Sequence, residues 1–363
     1  MARFGLTADP MKAMIRHLNR TQKRREAARL RLDELLGGRE NIPSVDWHFN
    51  WWYHPHMSLL FSKYDVIQAY ATYTAMPFII GCDYVAYEHG TIRSIPFQDT
   101  DEGKLCMATY RAADAVFVTN TDNLDSAEKM NLDTARVDAL PHAFDSDKLV
   151  TFQRRTRISP PKNDLVFFTP ARQHWVDGDP GWAKGNDRVI RALRILKDMG
   201  LACRLDAIEW GVDVPASQAL AIELGVAEMI NWLPKLKKRD LWRTYLRSHA
   251  ILDQFVAPAF GGVTFEALML GRRVITAVDE VEMTRFFGAP PPLYNCRTTE
   301  DIASSMARVI GDPMDTSGDG RRNQEWMQSR HSADTIVDIQ VKRYRSHGEI
   351  AKAIASSVGP LKD

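Results

Sequence analysis

The sequence lacks the features that mark several large classes of protein. Its 363 residues include only four cysteines, and their wide spacing predicts neither a disulfide framework nor a metal site. No apolar run approaches the roughly 18 residues of a membrane-spanning helix, and the first ten residues contain no secretory leader. Lys and Arg number 47 against 46 Asp and Glu, so the overall charge gives no reason to expect nucleic acid as a partner. These absences predict a cytoplasmic protein with reduced thiols.

The rest of the composition is typical of a soluble globular protein, with 45% hydrophobic and 26% charged residues. The chain is long enough for two domains, each with its own core. Short apolar segments alternate with helical ones over 64–141 and again over 165–277. This alternation predicts α/β domains with parallel sheets, whose ligands bind beyond the carboxyl ends of the strands.

Between the two series lies a segment with the composition of a linker. Residues 151–163 carry four basic side chains and two adjacent prolines, without apolar periodicity. We therefore predict an N-terminal domain over 1–150, a linker over 151–163 and a C-terminal domain over 164–334. A helical tail over 335–363 is expected to return to the N-terminal domain.

The first forty residues predict a long basic helix. Apolar residues repeat at helical spacing from Asp9 to Leu36, and Gly37-Gly38 follows as a stop. Between Lys12 and Arg31 eight Lys or Arg residues stand against one acid. The segment 11–32 is therefore either a solvated face or a peripheral contact with an anionic membrane surface.

A stretch rich in Trp and His follows at 46–56. Its three histidines raise the question of a metal site, but tryptophan dominates the segment. We expect it to pack in a core or to form a stacking platform for a sugar ring, and we predict no metal.

The most informative segment is a glycine turn that opens a helix. Gly261-Gly262 precedes a helical segment that stops at Gly271, and a buried strand follows. A helix that starts on glycines presents unpaired N–H groups and the positive end of its dipole, which suit a phosphate. Glu266 lies one turn further in and is better placed for neutral hydroxyls, such as a ribose diol. Phosphate plus diol suggests a nucleotide, although an ordinary turn and helix of another nucleotide-binding domain is the alternative.

This segment resembles the donor-site signature of the family 4 glycosyltransferases, which have the GT-B fold. Five residues fall in register with the signature: Phe260, Gly261, Glu266, Ala267 and Gly271. The family carries two glutamates eight positions apart, and Pro258 stands where the first would be. The resemblance implies two Rossmann-like domains facing across a cleft, and donor contacts from Gly261, Gly262, Val263, Thr264 and Glu266.

Two cations follow the first strand of the second series. Arg172 lies just beyond that strand, and Lys184 precedes Gly185 and a helix. In the family these positions bind the donor diphosphate, and the resemblance implies the same roles here. Fixed cations and a helix N-terminus stabilise the charge on a leaving diphosphate without a metal. Leu236, after the segment Trp232-Leu233-Pro234, is implied to contact the nucleotide base.

The N-terminal series supports the same resemblance. Tyr87-Glu88-His89-Gly90 resembles the strand end that carries the family's active-site histidine, so His89 is the third predicted catalytic residue. The segment 63–70 resembles the family's strand with two histidines, but Gln68 and Tyr70 replace both. The glycine-rich loop with which family members begin is absent from the sequence.

The resemblance implies a retaining hexosyltransferase that moves a sugar from a UDP- or GDP-linked donor to an acceptor hydroxyl. The acceptor would be a saccharide, a lipid-linked saccharide or a small molecule, and the expected setting is polysaccharide assembly in the cytoplasm, at the inner membrane face if the basic helix binds there. Gln68, Pro258 and the absent loop support an alternative, a degenerate transferase acting as a non-catalytic binding or scaffold subunit. A third reading, an epimerase of the same fold, would need acids beside the sugar, and Glu88 and Asp83 are its candidates.

Overall fold

The structure is a computed structural model that describes residue 23 and residues 26–38, 54–177, 183–256 and 261–346. The chain divides into two compact units. The first comprises the described residues up to Pro141 together with those from Val337, and the second comprises His142–Ile336. Of the predicted basic helix, 26–36 is helical, while most of the segment 11–32 and most of the stretch 46–56 lie outside the described residues.

The first unit is built on a four-stranded parallel sheet with strands in the order β1-β2-β3-β4. Its strands are β1 (Gln68–Tyr70), β2 (Val85–Tyr87), β3 (Ala115–Val118) and β4 (Val137–Ala139). Its helices are α1 (His54–Phe61), α2 (Ala75–Ile80), α3 (Asp101–Ala112) and α4 (Asn123–Lys129). Short 3-10 turns cover Ala71–Thr74, Thr91–Arg93, Ile95–Phe97 and Thr134–Arg136.

The second unit is built on a six-stranded parallel sheet in the order β10-β9-β8-β5-β6-β7. Its strands are β5 (Val166–Thr169), β6 (Arg204–Ile208), β7 (Ile230–Leu233), β8 (Ala250–Leu252), β9 (Arg273–Thr276) and β10 (Tyr294–Asn295). Its helices are α5 (Ser146–Thr156), α6 (Asn186–Asp198), α7 (Val214–Glu223), α8 (Lys238–Arg247), α9 (Gly262–Met269), α10 (Glu280–Phe287), α11 (Thr299–Gly311) and α12 (Asp319–His331), with a 3-10 turn at Ala227–Met229. The last helix, α13 (Ala333–Ser346), begins in this unit and continues into the first.

Every residue of β5, β8 and β9 is buried. Strands of a parallel sheet that helices cover on both faces are mostly apolar, as Val166-Phe167-Phe168 of β5 and Ala250-Ile251-Leu252 of β8 are. Leu193 and Leu196 of α6 and Ile302 and Met306 of α11 belong to the same buried cluster as Phe167 of β5. This covered sheet fixes the positions at which its strands end.

The helix α13 packs on the sheet of the first unit. Arg343 donates to both carboxylate oxygens of Asp138 in β4 and to the carbonyl of Ala135. Tyr344 donates to Gln68 of β1, and its ring lies 6.0 Å from that of Phe117 in β3. The end of the chain therefore completes the unit in which the chain starts.

Helix α2 contains Phe78-Ile79-Ile80 and ends on Gly81 in the left-handed region. The structure corrects two local expectations. Residues 151–156 of the predicted linker are helical as part of α5, and Gln153 donates to the carbonyl of Leu270 in the second unit. The segment that begins at Tyr64 forms a strand only from Gln68.

Within the described residues, no helix is both long and apolar enough to cross a membrane.

Candidate functional site

Arg172 lies just beyond the carboxyl end of β5, as predicted, and its backbone is fastened to the turn after β6. The N–H of Gln173 donates to the carbonyl of Trp210, 2.9 Å away, and the Trp210 indole donates to Pro170. Gly211 completes the turn with φ +118°, and a Cβ there would lie 2.2 Å from the Gln173 carbonyl oxygen. Only glycine at position 211 lets the backbone of Gln173 approach so closely. The turn after β6 therefore helps to position Arg172 on the loop after β5.

Lys184 lies between two loops at the same edge of the sheet. Its N–H donates to His174 after β5 (2.7 Å), and its carbonyl accepts from Phe255 after β8 (2.9 Å). Its Nζ donates to Gln254 Oε1 at 2.5 Å. The lysine is therefore held by its backbone and by its side chain.

The structure brings Arg172 and Lys184 together. Burial lowers the pKa of Lys184, and the neighbouring Arg172 cation lowers it further, while the Asp253 carboxylate opposes the shift. An additional anion beside Lys184 would favour its charged form against the effects of burial and of Arg172. The pair therefore suits a multiply charged anion such as a diphosphate.

The glycine turn opens α9 without a side-chain cap. Gly261 is the N-cap residue, and Gly262 is the first residue of the helix. Among the described residues, the N–H groups of Gly262 and Val263 have no acceptor. A Cβ added at Gly262 would meet no described atom within 4 Å, so the space beside this helix start is open.

The next N–H group of the helix, that of Thr264, donates to Asp253, a residue that was not predicted from the sequence. Asp253, directly after β8, is 6% exposed. Its carboxylate accepts from the Thr264 hydroxyl at 2.7 Å and from the Thr264 N–H. Burial raises the pKa of Asp253, while the bonds from Thr264 and the Lys184 cation oppose the shift. An acid immediately after a buried strand is the sequence signal that could have revealed it.

Asp253 links the parts of the site. A Cβ at Gly261 would lie 3.6 Å from Asp253 Oδ2. Lys184 and Thr264 both favour the ionised form of the Asp253 carboxylate. The carboxyl ends of β5 and β8 and the start of α9 thus meet at one edge of the sheet. Arg172, Lys184, Gly261, Gly262 and Thr264 lie on these elements, and Asp253 and Gln254 lie with them.

Glu266 is almost buried, with 8% of its side chain exposed. Its Oε1 accepts from Lys238 Nζ, and its Oε2 accepts from the Trp242 indole at 3.1 Å. Both donors come from α8. A ribose diol would therefore share this carboxylate with two protein groups.

Leu236 stands two residues before Lys238, whose side chain contacts Glu266. It lines a cavity of about 820 Å³ between β7 and α8, together with Leu233, Asp240 and Arg243. In the part of the chain that the structure describes, none of the other predicted donor contacts lines this cavity. Its role as a base contact stays a prediction.

His89 follows β2 in the first unit and is exposed. The buried Glu88 beside it accepts from the Gly90 N–H with one carboxylate oxygen and from Thr119 with the other. Glu88 therefore fastens the loop that carries His89 and is not a free acid. Asp83 precedes β2, at the opposite end of the strand from His89.

The loop between Arg172 and Lys184 is described up to Asp177. His174 Nε2 lies 3.0 Å from Asp177 Oδ2, and Asp213 accepts from the N–H groups of Trp175 and Val176. Within the described ranges, no group of three His, Cys, Asp or Glu residues could hold a metal ion. Pro258 and Phe260 lie outside those ranges.

The fold resembles solved structures of GT-B glycosyltransferases. Anabaena HepE in complex with UDP has a TM-score of 0.63 at 16% identity, over 85% of this chain and 85% of that one. The lipopolysaccharide outer core galactosyltransferase WaaB gives 0.59 at 12% identity, over 81% and 80%. Sucrose-phosphate synthase from Thermosynechococcus elongatus gives 0.52 at 16% identity, over 81% and 77%.

No family model matches the chain, and no curated protein matches it by sequence. At identities this low the structural likeness establishes the fold alone. The predicted fold class, an α/β protein of the GT-B type with two parallel-sheet domains, is confirmed.

Proposed function

We propose that the protein is a glycosyltransferase that moves a sugar from a nucleotide-diphosphate sugar to an acceptor hydroxyl. The observation that carries the proposal is the meeting of Arg172 and Lys184 with the uncapped start of α9, at the carboxyl edge of the six-stranded sheet. The likeness to HepE, which was solved with UDP and with UDP-glucose, supports a nucleotide as the ligand.

In the proposed reaction the bond between the anomeric carbon and the leaving diphosphate breaks as the acceptor oxygen bonds to that carbon. Attack from the face that the diphosphate leaves retains the anomeric configuration, and the acceptor proton passes to a departing phosphate oxygen. Arg172, Lys184 and the N–H groups of Gly262 and Val263 stabilise the charge on that phosphate. Thr264 acts through Asp253, to which its hydroxyl is committed.

The remaining contacts follow the resemblance. Glu266 holds the ribose, Leu236 contacts the base, and His89 donates to the sugar or to the leaving-group oxygen. The donor is UDP- or GDP-linked and is the only co-substrate, without a metal or another cofactor. We place the reaction in the cytoplasm, with a hexose as the transferred sugar and a saccharide or lipid-linked saccharide of polysaccharide assembly as the acceptor; the basic segment 11–32 is the proposed membrane contact.

The test is turnover of a panel of UDP- and GDP-sugars, followed as release of the nucleoside diphosphate without added metal. We expect one donor to be consumed, and Arg172→Ala plus Lys184→Ala to lower the rate by about 10³-fold. The matched control is Arg191→Ala plus Lys197→Ala, which removes two cations of α6 that are about half exposed and pair with surface acids. Equal losses in both double variants would contradict the proposal.

A second candidate, the degenerate binding subunit, has one structural observation in its favour: the Glu266 carboxylate is already engaged by Lys238 and Trp242. It predicts that a nucleotide binds and that no donor sugar is consumed. The same panel separates the two, because binding without release of product supports the subunit and turnover excludes it.

A further inference from the structure

A second cavity lies at the opposite edge of the six-stranded sheet, where β5, β8 and β9 begin. Its volume is about 310 Å³, at the lower end of the range of small-molecule sites. His249 precedes β8, Arg273 is the first residue of β9, and Arg272 follows α9. Because β5 is four residues long, roughly 10 Å or more of strand separates this edge from Arg172.

His249, a buried histidine that is 3% exposed, lines this cavity. Its Nδ1 accepts from the Val166 N–H at 3.1 Å, so the neutral ring carries its proton on Nε2. Among the described residues Nε2 has no partner. Burial lowers the pKa of this histidine, and Arg272 and Arg273 oppose its protonation further.

Three cations line the same cavity. Arg273 is 3% exposed and is held by the carbonyls of His249 (3.1 Å) and Asp312 (2.6 Å). Arg272 donates from Nε to the Leu270 carbonyl at 3.3 Å; within the described residues its two terminal nitrogens have no partner. Burial lowers the pKa of Arg272 to about 10. Lys162 is the third cation, and it is exposed.

The cavity contains one carboxylate to balance these cations. Asp315 lies 4.0 Å from Arg273 Nε, but its oxygens also accept from the N–H groups of Asp319 and Gly320 at the start of α12. Asp164, which also acts on His249, is paired with Arg204. The lining therefore carries more positive than negative charge and includes several N–H donors.

We propose that this cavity is a second anion-binding site, which takes the phosphate group of a small soluble metabolite. The terminal nitrogens of Arg272, the Nε2–H of His249 and the Lys162 ammonium are its donors, and Arg273 supplies buried charge. A guanidinium fork combined with an N–H donor matches the several oxygens of a phosphate. The proposal does not depend on the proposed sugar transfer, because none of its residues belongs to the predicted donor site.

The test uses inorganic phosphate as the probe and Arg172→Ala plus Lys184→Ala as the background, so that the first anion site is removed. Phosphate is titrated at constant ionic strength, and the imidazole signals are followed by NMR. His249→Gln identifies the His249 signal. We expect saturable movement of that signal, with the dissociation constant raised at least about tenfold by Arg272→Met.

Arg191→Met, on the exposed face of α6, is the matched control and is expected to leave the titration unchanged. Lys162→Met is a second variant that removes an exposed side chain and leaves the core intact, and it is expected to weaken binding two- to fivefold. A His249 signal that does not respond to phosphate, or that responds equally in the Arg272 variant, overturns the proposal. A parallel experiment replaces inorganic phosphate with vesicles of phosphatidylglycerol. Binding to the vesicles without binding of inorganic phosphate would contradict the proposal that the ligand is a soluble metabolite.

Discussion

At the scale of single residues, the candidate donor site combines groups that oppose one another until an anion is bound. Burial and the neighbouring Arg172 cation lower the pKa of Lys184, and Asp253 is buried against the same helix start that is assigned to phosphate. Functional sites commonly hold such arrangements at the expense of stability. Two substitutions at this scale separate binding from stability.

Gly262→Ala tests whether a ligand occupies the open space beside α9. A Cβ at this position meets no described protein atom, and alanine favours a helix more than glycine does. We therefore expect an unchanged or slightly higher Tm and an affinity for the nucleoside diphosphate that is weaker by about tenfold, because the methyl group lies where the phosphate approaches. The measurements are a thermal melt and a calorimetric titration; unchanged affinity contradicts the assignment of the phosphate to this turn.

Asp253→Asn tests the cost of the buried carboxylate. Burial raises the pKa of Asp253 in the folded state above its ordinary value of 3.8, which it keeps in the unfolded state. At pH values between 3.8 and the raised pKa, the folded state therefore binds more protons than the unfolded state. The free energy of unfolding therefore falls as pH rises through that window, and the ionised group destabilises the protein at neutral pH. We expect the variant to have a higher Tm than the parent at pH 7, with the difference disappearing below pH 4.

The control for this prediction is Asp145→Asn. Asp145 is an exposed aspartate that caps α5 through the Lys148 N–H, and asparagine is nearly its equal at such a position. We expect no change in Tm at either pH. A lower Tm for Asp253→Asn at pH 7 would show that its bond to Thr264 outweighs the burial of the charge.

Residue motifs predicted the cations of this site but not their partners. Arg172 and Lys184 could be recognised because each stands at a fixed distance from a strand or a glycine. Asp253 could not be connected with Thr264, nor Glu266 with Lys238, because those contacts depend on how separate elements pack. Leu236 shows the same limit, since its place in the motif did not reveal the cavity that it lines.

At the scale of elements, loops that follow neighbouring parallel strands position each other. The turn after β6 packs on the loop after β5 through Gly211, whose absent side chain lets the backbone of Gln173 approach. The alternation of apolar strands and helices predicted these elements, because buried parallel strands are continuous apolar runs. It did not predict α5, which is polar along most of its length and has one buried residue, Leu149.

Gly211→Ala tests this coupling between loops. The new Cβ would lie 2.2 Å from the Gln173 carbonyl oxygen and 2.9 Å from Arg172 Cγ, so the loop that carries Arg172 must move. We expect a loss of about 3 kcal/mol in the free energy of unfolding, together with weaker nucleotide binding. Gly81→Ala is the control: its φ is also positive, at +81°, but its Cβ would meet no described atom within 4 Å. It should lose only about 1 kcal/mol and keep its nucleotide affinity, and equal losses would contradict the coupling.

At the scale of the whole molecule, the chain forms two α/β units and then returns to the first one. The sequence predicted this architecture from its two series of strands, because each series has enough apolar surface for its own sheet. The boundaries were less accurate: the second compact unit begins at His142, before the segment whose composition resembled a linker. The reason is that α5 packs on the second unit through Phe152 and Gln153, a tertiary contact that composition does not reveal.

Arg343→Ala tests the return of α13. Arg343 pairs with Asp138 through two hydrogen bonds, and their side chains are only 14% and 26% exposed. We expect the free energy of unfolding of the first unit to fall by about 2 kcal/mol, measured by denaturant titration. Arg345→Ala removes an exposed arginine of the same helix and should change it by less than about 0.5 kcal/mol. Equal effects would mean that the pair of Arg343 with Asp138 contributes no more to this unit than an exposed arginine does.

The most direct measurement of the central claim is a calorimetric titration of the purified chain with UDP and with GDP, in the absence of divalent metal. The account predicts that one of the two nucleotides binds at a single site, and that binding is lost in Arg172→Ala plus Lys184→Ala but kept in Arg191→Ala plus Lys197→Ala. Failure of both nucleotides to bind, or equal binding by the two double variants, would contradict the assignment of the donor site and leave only the fold.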